Sequence, residues 1–133
     1  MSISRNFAAM LLLVAGAANA QQAPPEPVAT PLMTMPLPDY PGKEALVLTV
    51  VYPPGATELV HRHNANAFVY VLEGSIVMGV RGAESVTLTP GQVFYEGPGD
   101  VHTVGRNASL TESARFLVVM LKNKGAPVAI PAH

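Results

Sequence analysis

The stretch HRHNANAFVYVLEGSIVMGV, residues 61–80, decides how the chain reads. Two runs rich in β-branched and aromatic residues, Phe68 to Leu72 and Ser75 to Val80, flank Glu73-Gly74. Runs of that kind around a tight glycine turn predict a β-hairpin. Ahead of them stand His61 and His63, two of the chain's four histidines. In extended backbone, residues two apart project from the same face. Both imidazoles would then aim at one point while Arg62 faces away, as chelation of a metal ion requires.

Strand signals continue on both sides. Upstream, Ala45 to Tyr52 is an apolar run closed by Pro53-Pro54-Gly55. Downstream, short strands are predicted over Ser85 to Leu88, Gln92 to Tyr95, Val101 to Val104 and Ala114 to Leu121. They are separated by Arg81-Gly82, Thr89-Pro90-Gly91 and Gly97-Pro98-Gly99-Asp100, all turn formers. Past residue 20, no window of ten or more residues carries a 3.6-residue apolar period. Many short strands with regular turn signals predict an all-β sandwich or small barrel. The last of those turns presents His102, which makes a third imidazole for the pair at 61 and 63. His133, beyond Pro131, reads as a frayed terminal residue.

A chain of 133 residues has the size of one domain. Residues 1–20 read as a signal peptide: Arg5 is a positive n-region, Phe7 to Ala18 an apolar h-region, and Ala18-Asn19-Ala20 a small-x-small cleavage pattern. The apolar run is short for a membrane span. Residues 21–43 are crowded with proline, holding seven of the chain's thirteen, and this predicts an extended arm or linker. The barrel is expected over 44–121, with 122–133 as a C-terminal tail. The formal net charge of −1 gives no footprint for nucleic acid or an anionic membrane. Cysteine is absent, which excludes disulfides, a thiol nucleophile and thiolate ligands. Any transition metal must therefore be held by nitrogen or oxygen. There is no G-x-S-x-G elbow, P-loop or dinucleotide fingerprint.

Over roughly Glu44 to Leu121 the sequence resembles the cupin family. The family's first motif, G-x5-H-x-H-x3-E-x6-G, is met by Gly55, His61, His63 and Gly74, with Ala67 where the glutamate belongs. The second, G-x5-P-x-G-x2-H-x3-N, is met by Gly91, Gly99 and His102. Gly97 stands at the proline position and Pro98 follows it, while Asn107 falls one residue late, after Arg106. Small exported bacterial single-domain cupins are similar in lacking the glutamate.

The resemblance implies a double-stranded β-helix, or jelly roll, and a divalent transition metal (Fe, Zn, Mn, Ni or Cu) held by His61, His63 and His102. It implies metal-centred chemistry, dioxygenation or isomerisation, on a small oxygen-rich molecule. The alternative is a non-catalytic module that binds a small molecule or metal. A homodimer is expected, with the arm covering a sheet edge of its own subunit or its neighbour's. Ala67 leaves a corner of the first motif without a donor, so the ion would keep its full +2 charge and favour an anionic ligand. Glu73 and Glu96 are the candidate substitutes for the carboxylate. Glu73 reads as a solvated turn residue and Glu96, close in sequence to the His102 turn, as a surface residue, while Tyr70 and Tyr95 read as packing aromatics that could also offer a hydroxyl.

Export to the periplasm or medium has a direct check. Mass spectrometry of the protein from its native cell envelope should find a mature N-terminus at or near Gln21, and an intact Met1 would refute it.

Overall fold

The computed structural model describes residues 22–133, so the predicted signal peptide lies outside it. All the regular structure described is β. Ten strands run in the order β1 (Val28–Pro36), β2 (Lys43–Tyr52), β3 (His61–Arg62), β4 (Ala65–Glu73), β5 (Ile76–Val80), β6 (Val86–Leu88), β7 (Val93–Glu96), β8 (Val101–Asn107), β9 (Ala114–Asn123) and β10 (Ile130–Pro131). They form two five-stranded antiparallel sheets, ordered β1-β2-β9-β4-β7 and β10-β3-β8-β5-β6. This is the double-stranded β-helix.

Alternation along the strands builds the core. Leu46, Leu48, Val50 and Tyr52 of β2, Ala65, Ala67, Val69 and Val71 of β4, and Phe116, Val118 and Met120 of β9 all point inward. They meet Ile76, Met78 and Leu88 from the opposite sheet. The Tyr52 and Phe116 rings pack edge to face with centroids 4.9 Å apart. The other face of the first sheet is also apolar. Phe68, Tyr70, Val93, Tyr95, Met33 and Met35 lie exposed across it.

One local expectation fails. β4 and β5 do not form a hairpin, because β4 pairs with β9 and β7 while β5 pairs with β8 and β6. The chain changes sheets at Glu73-Gly74. A register shift between Val71 and Glu73 bends the strand off its ladder. Gly74, at φ +69°, then makes the corner, where a Cβ would stand 2.5 Å from the Ser113 carbonyl oxygen. Only glycine fits there.

The proline-rich segment becomes regular at Val28. β1 pairs with β2 of its own chain along Val28–Pro36 and forms the outer edge of the first sheet. Proline is tolerated on an edge strand, where its missing N–H can face away from the ladder. The tail is also tied in. β10 pairs with β3, Ala132 N–H donates to the Val60 carbonyl, and Arg81 donates to the His133 carbonyl.

Asn107, the displaced asparagine of the second motif, locks the loop that follows β8. Its buried amide lies 3.0 Å from the Tyr52 and Pro53 carbonyl oxygens and 2.7 Å from that of Glu112, and its Oδ1 accepts from Ser109 N–H at 2.8 Å. Asn107→Ala would leave these groups unpaired. It should cost about 2–4 kcal/mol of stability, read from the denaturant midpoint at unchanged slope.

Candidate metal centre

Pairing of β3 with β8 sets His61 directly opposite His102. The chain then leaves the second sheet, and His63 sits at the corner before β4 begins in the first. The three predicted ligands thus meet at one end of the barrel, with ring nitrogens within 4.8 Å of one another. His63 and His102 are buried and His61 is half-buried. His133, exposed at the surface, is not among them.

Each of the first two rings is oriented by a backbone carbonyl. His61 Nδ1–H donates to Leu59 O at 2.8 Å, and His63 Nδ1–H donates to Val128 O in the tail. In the neutral ring the lone pair is then on Nε2, and the two Nε2 atoms face each other at 3.1 Å. Two acceptors at that distance repel unless a cation stands between them. Nitrogens bound to one ion at about 2.0–2.1 Å lie about 2.8–3.4 Å apart for angles of roughly 90–110° at the ion. His102 gives a second sign, since both its ring nitrogens are buried without a hydrogen-bond partner. Burial and the neighbouring His61 push the His102 imidazole down to about 4. Burial also pushes His63 below its ordinary value. Both rings remain neutral near pH 7, the form that binds metal. The residues fit a divalent ion.

Two carboxylates stand against the cluster. Glu58 Oε2 lies 3.5 Å from His102 Nδ1 and 3.9 Å from His61 Nε2. Glu96 places Oε1 3.5 Å from His102 Nδ1 and Oε2 3.6 Å from His63 Nε2. Either group, when ionised, would offset part of the charge of an ion held by the three imidazoles. Burial, reinforced by the Glu58 and Asp100 charges, pushes Glu96 up to about 7. Burial likewise raises Glu58. The Tyr52 hydroxyl beside it is fully buried without a hydrogen-bond partner. Burial and the Glu58 charge drive it far above its usual value, so it stays protonated.

Gly105 makes room for this crowding. A Cβ there would lie 2.6 Å from Glu58 Oε2, 2.9 Å from His102 Cε1 and 3.1 Å from the Tyr52 hydroxyl oxygen. Glu58 is fixed to the same residue, its N–H donating to Gly105 O at 2.8 Å.

The cluster opens on a cavity of about 410 Å³. Its deeper walls are apolar, formed by Leu48, Val50, Val69, Met78, Phe116 and Met120. Glu26 and Pro27 from the arm and Val128 and Ala129 from the tail line it too, and among the described residues no lysine or arginine does.

Among the candidates from sequence, Glu96 joins the cluster and Glu73 does not. Glu73 is exposed and bonded to Arg115 at 2.8 Å. Tyr70 and Tyr95 lie on the outer face, where the Tyr95 hydroxyl donates to Asn66 Oδ1. The sequence reading missed Tyr52, Glu58 and Val128. Tyr52 was legible, because it shares the inward parity of Leu46, Leu48 and Val50. Glu58 and Val128 lie outside the strands, where no parity tells which way a group points.

Comparison with known proteins agrees with this geometry. The cupin domain family matches residues 48–120. A double-stranded β-helix protein from Klebsiella pneumoniae is similar in structure at 18% identity and TM-score 0.63, over 83% of this chain and 90% of that one. A cupin-like protein from Thermotoga maritima is similar at 21% identity and TM-score 0.62, over 80% and 75%. The DMSP lyase DddQ from Ruegeria pomeroyi DSS-3 is similar at 19% identity and TM-score 0.58, over 66% of this chain. The chain spans 43% of that enzyme's length. No curated protein matches in sequence. With more than half its length matched by the domain and its two sheets folded as a double-stranded β-helix, the chain belongs to the cupin family.

Proposed function

We propose that this cupin holds one divalent transition metal through His61, His63 and His102 and acts with it on a small molecule seated in the adjoining cavity. The observation that carries the reading is the three-imidazole cluster opening directly onto a pocket of about 410 Å³. A metal bound there would supply Lewis acidity or redox chemistry for dioxygenation or isomerisation.

The protein's own groups define the ligand. The apolar walls favour a hydrocarbon body, and the imidazoles with Tyr52, Glu58 and Glu96 favour an oxygen-bearing head. Glu26, Glu58 and Glu96 line the space with no lysine or arginine among the described residues, which disfavours a polyanion. Tyr52 and Glu58, beside the imidazoles, are placed to hydrogen-bond the head and to hold or pass a proton.

His61→Ala removes one of three nitrogen ligands and should nearly abolish metal content in protein purified without a histidine tag. Elemental analysis reads this, and unchanged occupancy would refute the site. Oxygen uptake or isomerisation by the loaded protein separates an enzyme from a binding module. Bound metal without turnover across a substrate screen would leave the module.

A homodimer belongs to the same reading. The outer face of the first sheet measures about 24 Å by about 30 Å at usual strand spacings, on the order of 700 Å². That approaches the ~800 Å² per partner of a standard interface and exceeds the ~300–600 Å² patch of a typical monomer. Exposed Phe68, Tyr70, Val93 and Tyr95 supply its apolar content. Light scattering at about 10 μM should give twice the chain mass, and a monomer mass would count against this face as an interface.

A further inference from the structure

The carboxylate missing from the first motif has a replacement on the neighbouring strand. β4 and β7 pair in a register that sets Ala67 directly opposite Glu96. Both point inward and both are buried. Side chains directly opposite on one sheet face have Cβ atoms about 4.5–5.5 Å apart. A glutamate entering from position 96 therefore reaches the space that one from position 67 would fill, and the Ala67 methyl leaves that space open.

We infer that Glu96 is the oxygen ligand of this centre, completing with His61, His63 and His102 a three-histidine, one-carboxylate set whose acid comes from β7 instead of β4. The inference rests on the metal reading above. Its two oxygens touch two different imidazoles, Oε1 against His102 and Oε2 against His63, so the carboxylate stands between ligands. A buried carboxylate must be paired or must coordinate a metal. Among the described residues no lysine or arginine lines the cavity, and the groups nearest its two oxygens are the imidazoles of the proposed ligands.

Glu58 is the rival, and three observations set it apart. It sits in the loop between β2 and β3, its side chain is more exposed than that of Glu96, and only its Oε2 approaches the rings. It also lies against the Tyr52 hydroxyl. That position faces the ligand instead of closing the coordination set.

The test is Zn²⁺ affinity of the mature full-length protein, measured against a competing chelator at fixed pH, with thermal melts of each metal-free variant as the folding control. Loss of a directly coordinating group should exceed the roughly 10–100-fold cost of removing an outer partner. Glu96→Gln should therefore weaken binding by well over about a hundredfold, and Glu58→Gln by no more than the roughly 10–100-fold of an outer partner. The decisive variant moves the acid back across the ladder. Ala67→Glu combined with Glu96→Ala should recover binding to within about tenfold of the parent. Ala67→Glu alone should not tighten it, because two carboxylates would then compete for one corner. Parent-like affinity in Glu96→Gln, or the large loss appearing in Glu58→Gln instead, would overturn the assignment while leaving the histidine site standing. A parent that binds no Zn²⁺, or a His61→Ala variant that binds as the parent does, would sink the metal reading itself. If Glu96→Gln misfolds, the double variant decides: a folded protein without recovered affinity overturns the assignment.

Discussion

The two-residue ladder between β3 and β8 is the contact on which the centre depends. It places His61 opposite His102 across a sheet, so these two rings are set by backbone pairing and not by flexible side chains. His63 follows because the chain must leave that sheet at once to enter the other. A strand only two residues long cannot hold such a register alone. β10 on its other side and the β8-β5 ladder beyond hold it in place. Local geometry at the site is therefore a property of the whole second sheet.

Around that frame the polar groups are arranged at some cost. Glu58 and Glu96 are acids brought into a cavity lined, among the described residues, by imidazoles but by no lysine or arginine, and the Tyr52 hydroxyl and His102 nitrogens are buried without partners. Unsatisfied buried groups are expensive, and in native proteins they concentrate where a ligand completes them. Opposing these costs are the interdigitated apolar faces of β2, β4 and β9, which close the rest of the barrel. Core and site share strands, and inward parity decides which positions serve each. Met120 on β9 and Val69 on β4 both line the cavity while belonging to the core.

Much of this was legible in the chain. The runs at Ala45 to Tyr52 and Ala114 to Leu121 are long, apolar and bounded by clear turns, and they lie within β2 and β9. The three histidines were readable because strand parity and a rigid turn fix their directions. The hairpin at Glu73-Gly74 was misread because turn chemistry is local while strand pairing is not. The sequence shows that the chain turns there, but not that β4 has its partner in β9. The edge strand at Val28–Pro36 was hidden by its prolines, which lower strand propensity without forbidding an edge position. Glu96 shows the same limit from the other side. Its nearness to Ala67 is a matter of register between separate strands, and spacing within a motif carries no record of register.

The tail reaches back to the centre. The carbonyl that orients His63 belongs to Val128, 65 positions further along the chain. The barrel's first motif is thus translated well before the group that sets its imidazole is available. The hydrogen bond that orients this imidazole therefore exists only when that distant segment is docked. Linkage would then run both ways: an ion held through His63 would stabilise the docked tail, and a docked tail would raise the affinity for the ion.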